Sequence, residues 1–152
     1  MRQFVKCSKA CTDLEDFKTY ESEGCHMLGY TKTTTKSVEQ AVEDLGTAVE
    51  SNGFKVLNQL DISGILNGKG FDCEPTRILE VCHAPSAAAV LDANVNISLL
   101  LPCKINVYAR QGQTYVSALD PGMMKQFFEE PEILKIADDV QTAIKRIVDQ
   151  AV

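Results

Sequence analysis

The sequence predicts an α+β domain, and three patterns indicate it. A strand, a helix and a second strand follow one another over residues 27–60. Apolar and polar residues alternate strictly over 103–110, which is the period of a strand with one buried face. An apolar stripe with helical spacing covers residues 131–148. With further strands at 76–83 and 113–119, the prediction is a sheet of five strands, a helix after strand 1 and a long C-terminal helix.

The first part of the predicted domain is a βαβ unit. Residues 27–35 are rich in threonine and favour a strand. Ser37 with Gln40 three residues later is a capping-box pattern that begins a helix. Gly53 ends that helix, because glycine tolerates the left-handed conformation common after a helix C-terminus. Residues 54–60 then form the second strand.

The later elements follow from turn residues and periodicity. Residues 61–74 contain three glycines and predict a loop or a short helical turn. Pro85 suits the first turn of a short helix that follows the third strand. Gln111-Gly112 is a tight turn that joins strands 4 and 5 as a hairpin. The stripe of the final helix consists of Ile133, Ile136, Ala137, Val140, Ala143, Ile144, Ile147 and Val148.

Length and charge limit the class of protein. A chain of 152 residues with 45% hydrophobic residues fits one domain, with residues 1–26 as an N-terminal extension and 27–152 as a single α+β domain. The formal charge of −6 disfavours nucleic acid as a partner, because phosphate binding needs a basic face. No apolar run approaches the ~20 residues of a membrane span, and no export signal is visible. We therefore expect a cytoplasmic protein with no membrane partner.

The glycine-containing loop offers one candidate binding site. It resembles a phosphate-binding loop only superficially, because its glycine spacing is one residue short and no Ser or Thr follows Lys69. Lys69, beside flexible backbone N–H groups, is a candidate contact for a small anionic ligand. Asp72 lies three residues further on and is assigned to the same site.

Two cysteines at strand ends offer a second candidate site. If strands 3 and 4 are antiparallel, Cys82 and Cys103 lie at the same end of the sheet; a parallel crossover would place them at opposite ends. Cys103 shares a face with Ile105 and is predicted in the core, whereas Cys82 is predicted on the opposite face with Glu80. Three interpretations remain open. Both thiols are structural, or Cys82 is a reactive thiol, or the two cysteines form a disulfide or bind a metal as a pair.

Metal and catalytic motifs are weak in this chain. Cys7, Cys11, Cys25 and His26 supply four soft ligands, but their spacing is not that of a common zinc module. His83 follows Cys82 and is a candidate ligand contact. The sequence has no acylating serine motif, no dinucleotide fingerprint and no complete catalytic constellation, so no cofactor is predicted and enzymatic activity is left undecided.

From Tyr30 onward the sequence resembles a bacterial and archaeal family known as domain of unknown function 302. The resemblance covers about 120 residues and excludes residues 1–26. Where the family ends its third strand with Cys-Asn-Pro, this chain has Cys-His-Ala-Pro. The matching landmarks are Gly53-Phe54, Asp61, Lys69-Gly70, Ile78-Leu79, Cys82, Pro85, Leu101-Pro102-Cys103, Val107-Tyr108 and Asp120-Pro121.

The resemblance implies a mostly antiparallel five-stranded sheet with the long C-terminal helix packed on one face. It also implies that strands 3 and 4 are antiparallel, which brings Cys82 and Cys103 to one end of the sheet, and that the protein is a homodimer. It implies no reaction, substrate or cofactor.

Together these observations predict a small-ligand-binding or regulatory domain. Its cleft is expected near the 61–72 loop and the Cys82–His83 end of the sheet, with Lys69, Asp72 and Cys103 as further ligand contacts. The alternative is a thiol/redox or metal-binding protein that uses Cys82, either with Cys103 or with Cys7, Cys11 and Cys25.

Overall fold

The five strands lie in one sheet with the order β1-β5-β4-β3-β2. The computed structural model describes residues 29–152, and the predicted extension over residues 1–26, with Cys7, Cys11, Cys25 and His26, lies outside them. The strands are β1 (Gly29–Thr34), β2 (Lys55–Asp61), β3 (Thr76–Cys82), β4 (Cys103–Arg110) and β5 (Gln113–Leu119).

The helices follow the predicted pattern. Those of residues 29–152 are α1 (Val38–Ser51), α2 (Ile62–Asn67), α3 (Ala84–Ala93) and α4 (Pro131–Ala151), with 3₁₀ segments at Val95–Leu100 and Pro121–Gln126. The α+β class, the helix after strand 1 and the long C-terminal helix are confirmed. None of the helices in this part of the chain is long and apolar enough to cross a membrane.

All neighbouring strands in the sheet are antiparallel. Four successive antiparallel pairings separate β1 from β2, so these two strands run in the same direction, as a βαβ unit requires. They are not neighbours, however, because β5, β4 and β3 pair between them. The connection through α1 therefore crosses the whole sheet, which local sequence patterns do not reveal.

Local chemistry explains where α1 begins and ends. The Ser37 Oγ accepts a hydrogen bond from the Gln40 backbone N–H at 3.1 Å, which satisfies one of the free donors of the first turn. Asn52 is the C-terminal cap, and Gly53 follows it with a φ of +78°. That backbone conformation is strained for residues with a Cβ, so glycine stops the helix and turns the chain into β2.

The core lies between one face of the sheet and helices α1 and α4. Leu45 of α1, Ile105 of β4 and Ile144 of α4 belong to a single buried cluster, and each is at most 1% exposed. The alternation of β4 is confirmed, since Cys103, Ile105 and Val107 are all buried. The α4 stripe packs against this core because apolar side chains at intervals of three and four residues share one face of a helix.

A second, smaller cluster packs beside the main core. It joins α3, both 3₁₀ segments and the first half of α4 through Val90, Ile97, Met124, Ile133 and Ala137. The 3₁₀ segments have no periodic signal in the sequence and are too short to show one. They matter here because they lie over the end of the sheet where β3 stops and β4 starts.

Candidate functional site

A largely apolar cavity of about 30 Å³ lies where β3, β4, α3 and α4 meet. Its lining includes Cys82, His83 and Cys103, three of the five residues that the sequence assigns to ligand binding. Phe54, Val81 and Met124 contribute apolar walls, and Ser86 contributes a hydroxyl-bearing residue from the first turn of α3.

The antiparallel pairing of β3 and β4 brings the two cysteines to this place. Val81 is the direct partner of Cys103 across the two strands, and Cys82 is the next residue along β3. Cys103 is 9% exposed and confirms the prediction of a core thiol. Cys82 is half-buried, and the alternation of the strand agrees with the predicted placement of its side chain on the opposite face from Cys103. The residue still contributes to the lining of the cavity, because β3 ends there and the chain turns into α3.

The His83 side chain is held in place by two contacts. Its Nδ1 lies 2.8 Å from the Ser86 Oγ, within hydrogen-bond distance. Its ring lies against Phe54, with 5.2 Å between the ring centroids and an angle of 35° between the planes. A hydrogen bond on one ring nitrogen selects a tautomer and an orientation, so these two contacts fix the position of the imidazole.

Burial keeps both thiols of the cavity protonated at neutral pH. Loss of water, with a smaller contribution from the neighbouring Cys82, raises the pKa of Cys103 to about 11. Burial also raises the pKa of Cys82. Since the thiolate is the nucleophile, neither cysteine is activated for attack in the way that catalytic cysteines are. The lining of the cavity therefore contains no cysteine whose pKa is lowered.

Lys69 and Asp72 do not join this cavity. Both are exposed in the connection between α2 and β3, which enters β3 at its first residue, Thr76. Cys82 is the last residue of β3, and seven residues of strand span roughly 20 Å. The five residues expected in a single cleft are therefore divided between opposite ends of one strand.

A polar cluster closes the end of the sheet near that connection. The Arg77 Nη1 donates hydrogen bonds to Asp61 Oδ1 at 2.6 Å and to Ser63 Oγ at 2.8 Å. Asp61 Oδ1 also accepts from the Gly64 backbone N–H at 2.7 Å, which caps α2. The pKa of Asp61 lies below its usual value, mainly because of the hydrogen bond from the Gly64 N–H and to a smaller extent because of Ser63 and Arg77. These contacts satisfy one another, so this cluster is structural.

A family model described as "Domain of unknown function DUF302" matches residues 30–151. The chain belongs to this family. It is also similar to a solved structure, the crystal structure of an uncharacterized conserved DUF302 protein from Bacillus stearothermophilus. The two share 31% identity with a TM-score of 0.78, and the match covers 83% of this chain and 99% of that chain. A comparison with curated proteins finds none that matches.

His83 and Ala84 lie between Cys82, the last residue of β3, and Pro85 in the first turn of α3. His83 is the residue that precedes α3, and its side chain makes no capping hydrogen bond to the helix backbone. The imidazole is instead engaged with Ser86 and Phe54, beside the cavity.

The described residues of the DUF302 domain form no conventional metal-binding cluster. Within residues 29–152, no group of three or more His, Cys, Asp or Glu residues is arranged to hold a metal ion. Cys73, Cys82 and Cys103 are free thiols. Cys82 and Cys103 are offset by one position in the strand pairing, which is not the directly opposed arrangement that would favour a disulfide across two strands.

The DUF302 domain has a second concave surface that the sequence analysis missed. A groove of about 640 Å³ runs between α1 and the edge of the sheet. Glu39, Glu43 and Glu50 of α1 form one wall, and Val56 and Leu79 belong to its strand side. The only local signal for it is a glycine in the middle of α1, Gly46, where a helix former would be expected.

Gly46 provides a stability prediction for the DUF302 fold. A Cβ at Gly46 would meet no atom within 4 Å, so alanine fits without strain. Gly46→Ala is expected to raise the free energy of unfolding by about 0.5–1 kcal/mol, because alanine loses less backbone entropy in a helix. Urea unfolding measures the change.

Gly29 is the matched control for that substitution. A Cβ there would lie 2.0 Å from the Ala118 carbonyl oxygen, so Gly29→Ala is expected to destabilise the fold. A Gly46→Ala protein no more stable than the wild type would show that the groove wall is packed more closely than the structure indicates.

Proposed function

We propose that this DUF302 domain binds a compact ligand in the cavity beside Cys82, His83 and Cys103. One observation carries the proposal: three residues on two strands and the turn that follows β3 line one cavity. Binding sites are concave and largely apolar, with a few placed polar groups. The oriented His83–Ser86 pair supplies such polar groups at the edge of an apolar lining.

The cavity restricts the size and charge of its occupant. A single water requires a space of about 10–15 Å³ on this scale, so about 30 Å³ admits an occupant the size of two waters. No Lys or Arg is among the lining residues, which disfavours the small anionic ligand expected from Lys69. Lys69 and Asp72 line neither the cavity nor the groove beside α1. A neutral or cationic ligand fits the cavity better.

The proposal includes a homodimer. The sheet face opposite α1 and α4 carries Ile78, Tyr108 and Tyr115, all half-buried. The two tyrosine rings stack with their centroids 5.1 Å apart. Half-buried apolar side chains on a sheet face support association with a second copy. Light scattering on the full chain at micromolar concentration is expected to give twice the monomer mass, and a monomer mass would count against the dimer.

A cytoplasmic location is also part of the proposal. Cys73, Cys82 and Cys103 are free thiols, which is typical of proteins in a reducing compartment. Thiol or redox chemistry at Cys82 is the alternative function. The raised pKa of both cavity thiols counts against it, because an activated thiol needs a lowered pKa.

Ligand-dependent thermal unfolding tests the binding function. The panel consists of small alcohols, short carboxylates, sulfide and soft metal ions. A ligand at 100 times its Kd stabilises the folded state by about 2.7 kcal/mol, which raises the Tm of a domain of this size by roughly 5–10 °C. At least one member of the panel is expected to give such a shift with the wild-type chain.

Two substitutions on α3 make the test specific for the cavity. Ala87 lines the cavity, whereas its neighbour Ala88 is exposed. Ala87→Leu fills the space and is expected to abolish the ligand-dependent shift, while Ala88→Leu keeps it. If no compound shifts the wild-type Tm, or if Ala87→Leu responds as the wild type does, ligand binding in this cavity is excluded.

A further inference from the structure

We propose that residues 1–10 of this chain dock in the groove between α1 and the edge of the sheet, with their basic side chains against the glutamates of α1. This inference goes beyond the proposed ligand-binding function. Among the described residues, the groove and the cavity share no lining residue, so the two sites are independent of each other.

The groove exists because α1 is narrower than the strands beneath it. The α4 helix packs on β1 and β5, whereas α1 packs on β2, β3 and β4. Three strands about 4.8 Å apart present a face roughly 14 Å wide, and a helix with its side chains is about 10–12 Å in diameter. The uncovered margin lies beside β2, the edge strand, with Val56 and Leu79 in its lining.

The α1 wall of the groove carries negative charge that the described residues do not neutralise. Glu39 and Glu43 are four residues apart on one helix face, and Glu50 follows two turns later. In the described part of the chain, neither Glu43 nor Glu50 forms an ion pair. Glu39 lies 4.0 Å from Arg77, which already pairs with Asp61 at 2.6 Å. Like charges four residues apart destabilise a helix, so a basic occupant would relieve this repulsion.

Residues 1–10 have the complementary charge. They contain Arg2, Lys6 and Lys9 and no acidic residue. Residues 11–28 are the reverse, with one lysine and five acidic residues. Positive charge in this part of the sequence is therefore concentrated in its first ten residues. Opposite potentials on two surfaces steer their encounter and fix their register, which favours this segment as the occupant of an acidic groove.

The groove also has an apolar part that the segment matches. Its lining includes the half-buried Val42 and Val56 and the fully buried Leu79. Phe4 and Val5 lie between the basic residues of the segment and supply apolar side chains for this surface. The volume of about 640 Å³ is within the range of about 300–1,000 Å³ that is typical of binding pockets, so several side chains fit.

The connection to residues 1–10 is long enough to reach the groove. The described chain begins at Gly29, the first residue of β1, at the edge of the sheet opposite β2. Four strand spacings separate the two edges, which is about 19 Å. Residues 11–28 would span about 27 Å as a helix and about 60 Å when extended. This tether holds the segment at an effective concentration on the order of mM, so weak contacts suffice for docking.

Zero-length cross-linking of the full chain tests the inference. A water-soluble carbodiimide couples an amine to a carboxylate only where the two are in contact, and peptide mass spectrometry identifies the pair. A link from Lys6 or Lys9 to Glu43 or Glu50 is expected. Mixing unlabelled with isotope-labelled chains shows whether a link joins one chain or two, and links within one chain are expected.

Two substitutions on α1 that change no charge make the test specific for the groove. Gly46 lines the groove, and a Cβ there would meet no atom within 4 Å, so Gly46→Leu places its side chain in the groove and is expected to abolish the links. Gln40 is exposed on the same helix and does not line the groove, so Gln40→Leu is expected to keep them. Circular dichroism checks that both variants are folded. The 3.9 Å ion pair between Lys104 and Glu80 is the positive control for coupling in every sample.

A charge exchange provides a second measurement that does not depend on the shape of the groove. Glu43→Lys with Glu50→Lys is expected to lose the links between these positions and the segment. Adding Lys6→Glu and Lys9→Glu is expected to restore them, with amine and carboxylate exchanged. Charge complementarity between the segment and α1 predicts this recovery.

The outcomes decide the inference separately from the proposed function. It is overturned if residues 1–10 form no link to α1 while the control pair is coupled, if Gly46→Leu is linked as Gln40→Leu is, or if the charge exchange restores nothing. Links that join two chains would assign the groove to the segment of a second copy and overturn docking within one chain. None of these results depends on the Tm shifts that test ligand binding in the cavity.

Discussion

Leu45→Ala is expected to lower the free energy of unfolding by about 3–4 kcal/mol. Leu45 has no exposed surface and belongs to the cluster that joins α1, the sheet and α4. The loss combines the transfer free energy of the deleted methyl and methylene groups with the cavity that remains between two helices and the sheet. Urea unfolding at neutral pH gives the value.

Leu99→Ala is the matched control for this substitution. Leu99 is 85% exposed in the 3₁₀ segment before β4, so the same chemical change there is expected to stay within about 0.5 kcal/mol of the wild type. A loss below about 2 kcal/mol for Leu45→Ala would mean that the α1–α4 contact relaxes around the deletion and is not the centre of the core.

Stability is expected to fall with rising pH because of Cys103. Its pKa is about 11 in the folded protein and 9.0 for an unperturbed thiol, so folding favours the protonated form. This contribution is complete below pH 9 and is lost as the pH rises through 11. The difference of two units corresponds to about 3 kcal/mol in total, and about half of it is lost by pH 10.

Comparison of two cysteine variants isolates that contribution. Urea unfolding at pH 8, 9 and 10 is measured for the wild type, Cys103→Ala and Cys73→Ala. Cys73→Ala is expected to lose stability with pH as the wild type does, whereas Cys103→Ala is expected to lose about 1.4 kcal/mol less between pH 8 and 10. Parallel curves for all three proteins would show that Cys103 is not desolvated in the folded state.

The helix boundaries and the faces of single strands were predictable because they depend on neighbouring residues. Ser37 caps α1 through its own side chain, and Gly53 ends it through its own backbone conformation. Ile105 is buried because a strand alternates its side chains, whichever strands lie beside it. Such local causes act within a few residues and leave a periodic signal.

The candidate site was predictable only in part, because it depends on contacts between segments that are distant in the sequence. Cys82 and Cys103 lie at the same end of the sheet because β3 and β4 are antiparallel, and residue patterns alone left that direction open. The family resemblance supplied it. Lys69 was assigned to the same cleft, but it lies before the first residue of β3 and Cys82 is the last, because proximity in sequence to β3 does not tell one end of the strand from the other. Met124 and Ser86 carried no signal at all, since they reach the cavity from separate elements.

By itself the sequence determined the α+β class, the helix caps, the buried face of β4 and the amphipathic α4. These depend on the conformational preferences and periodicity of contiguous residues, which are present in the chain before it folds. Only the tertiary structure decided that β1 and β2 lie at opposite edges and that Cys82, His83, Cys103 and Met124 line one cavity. Those relations come from packing between distant segments, where free energy depends on shape and burial rather than on spacing along the chain.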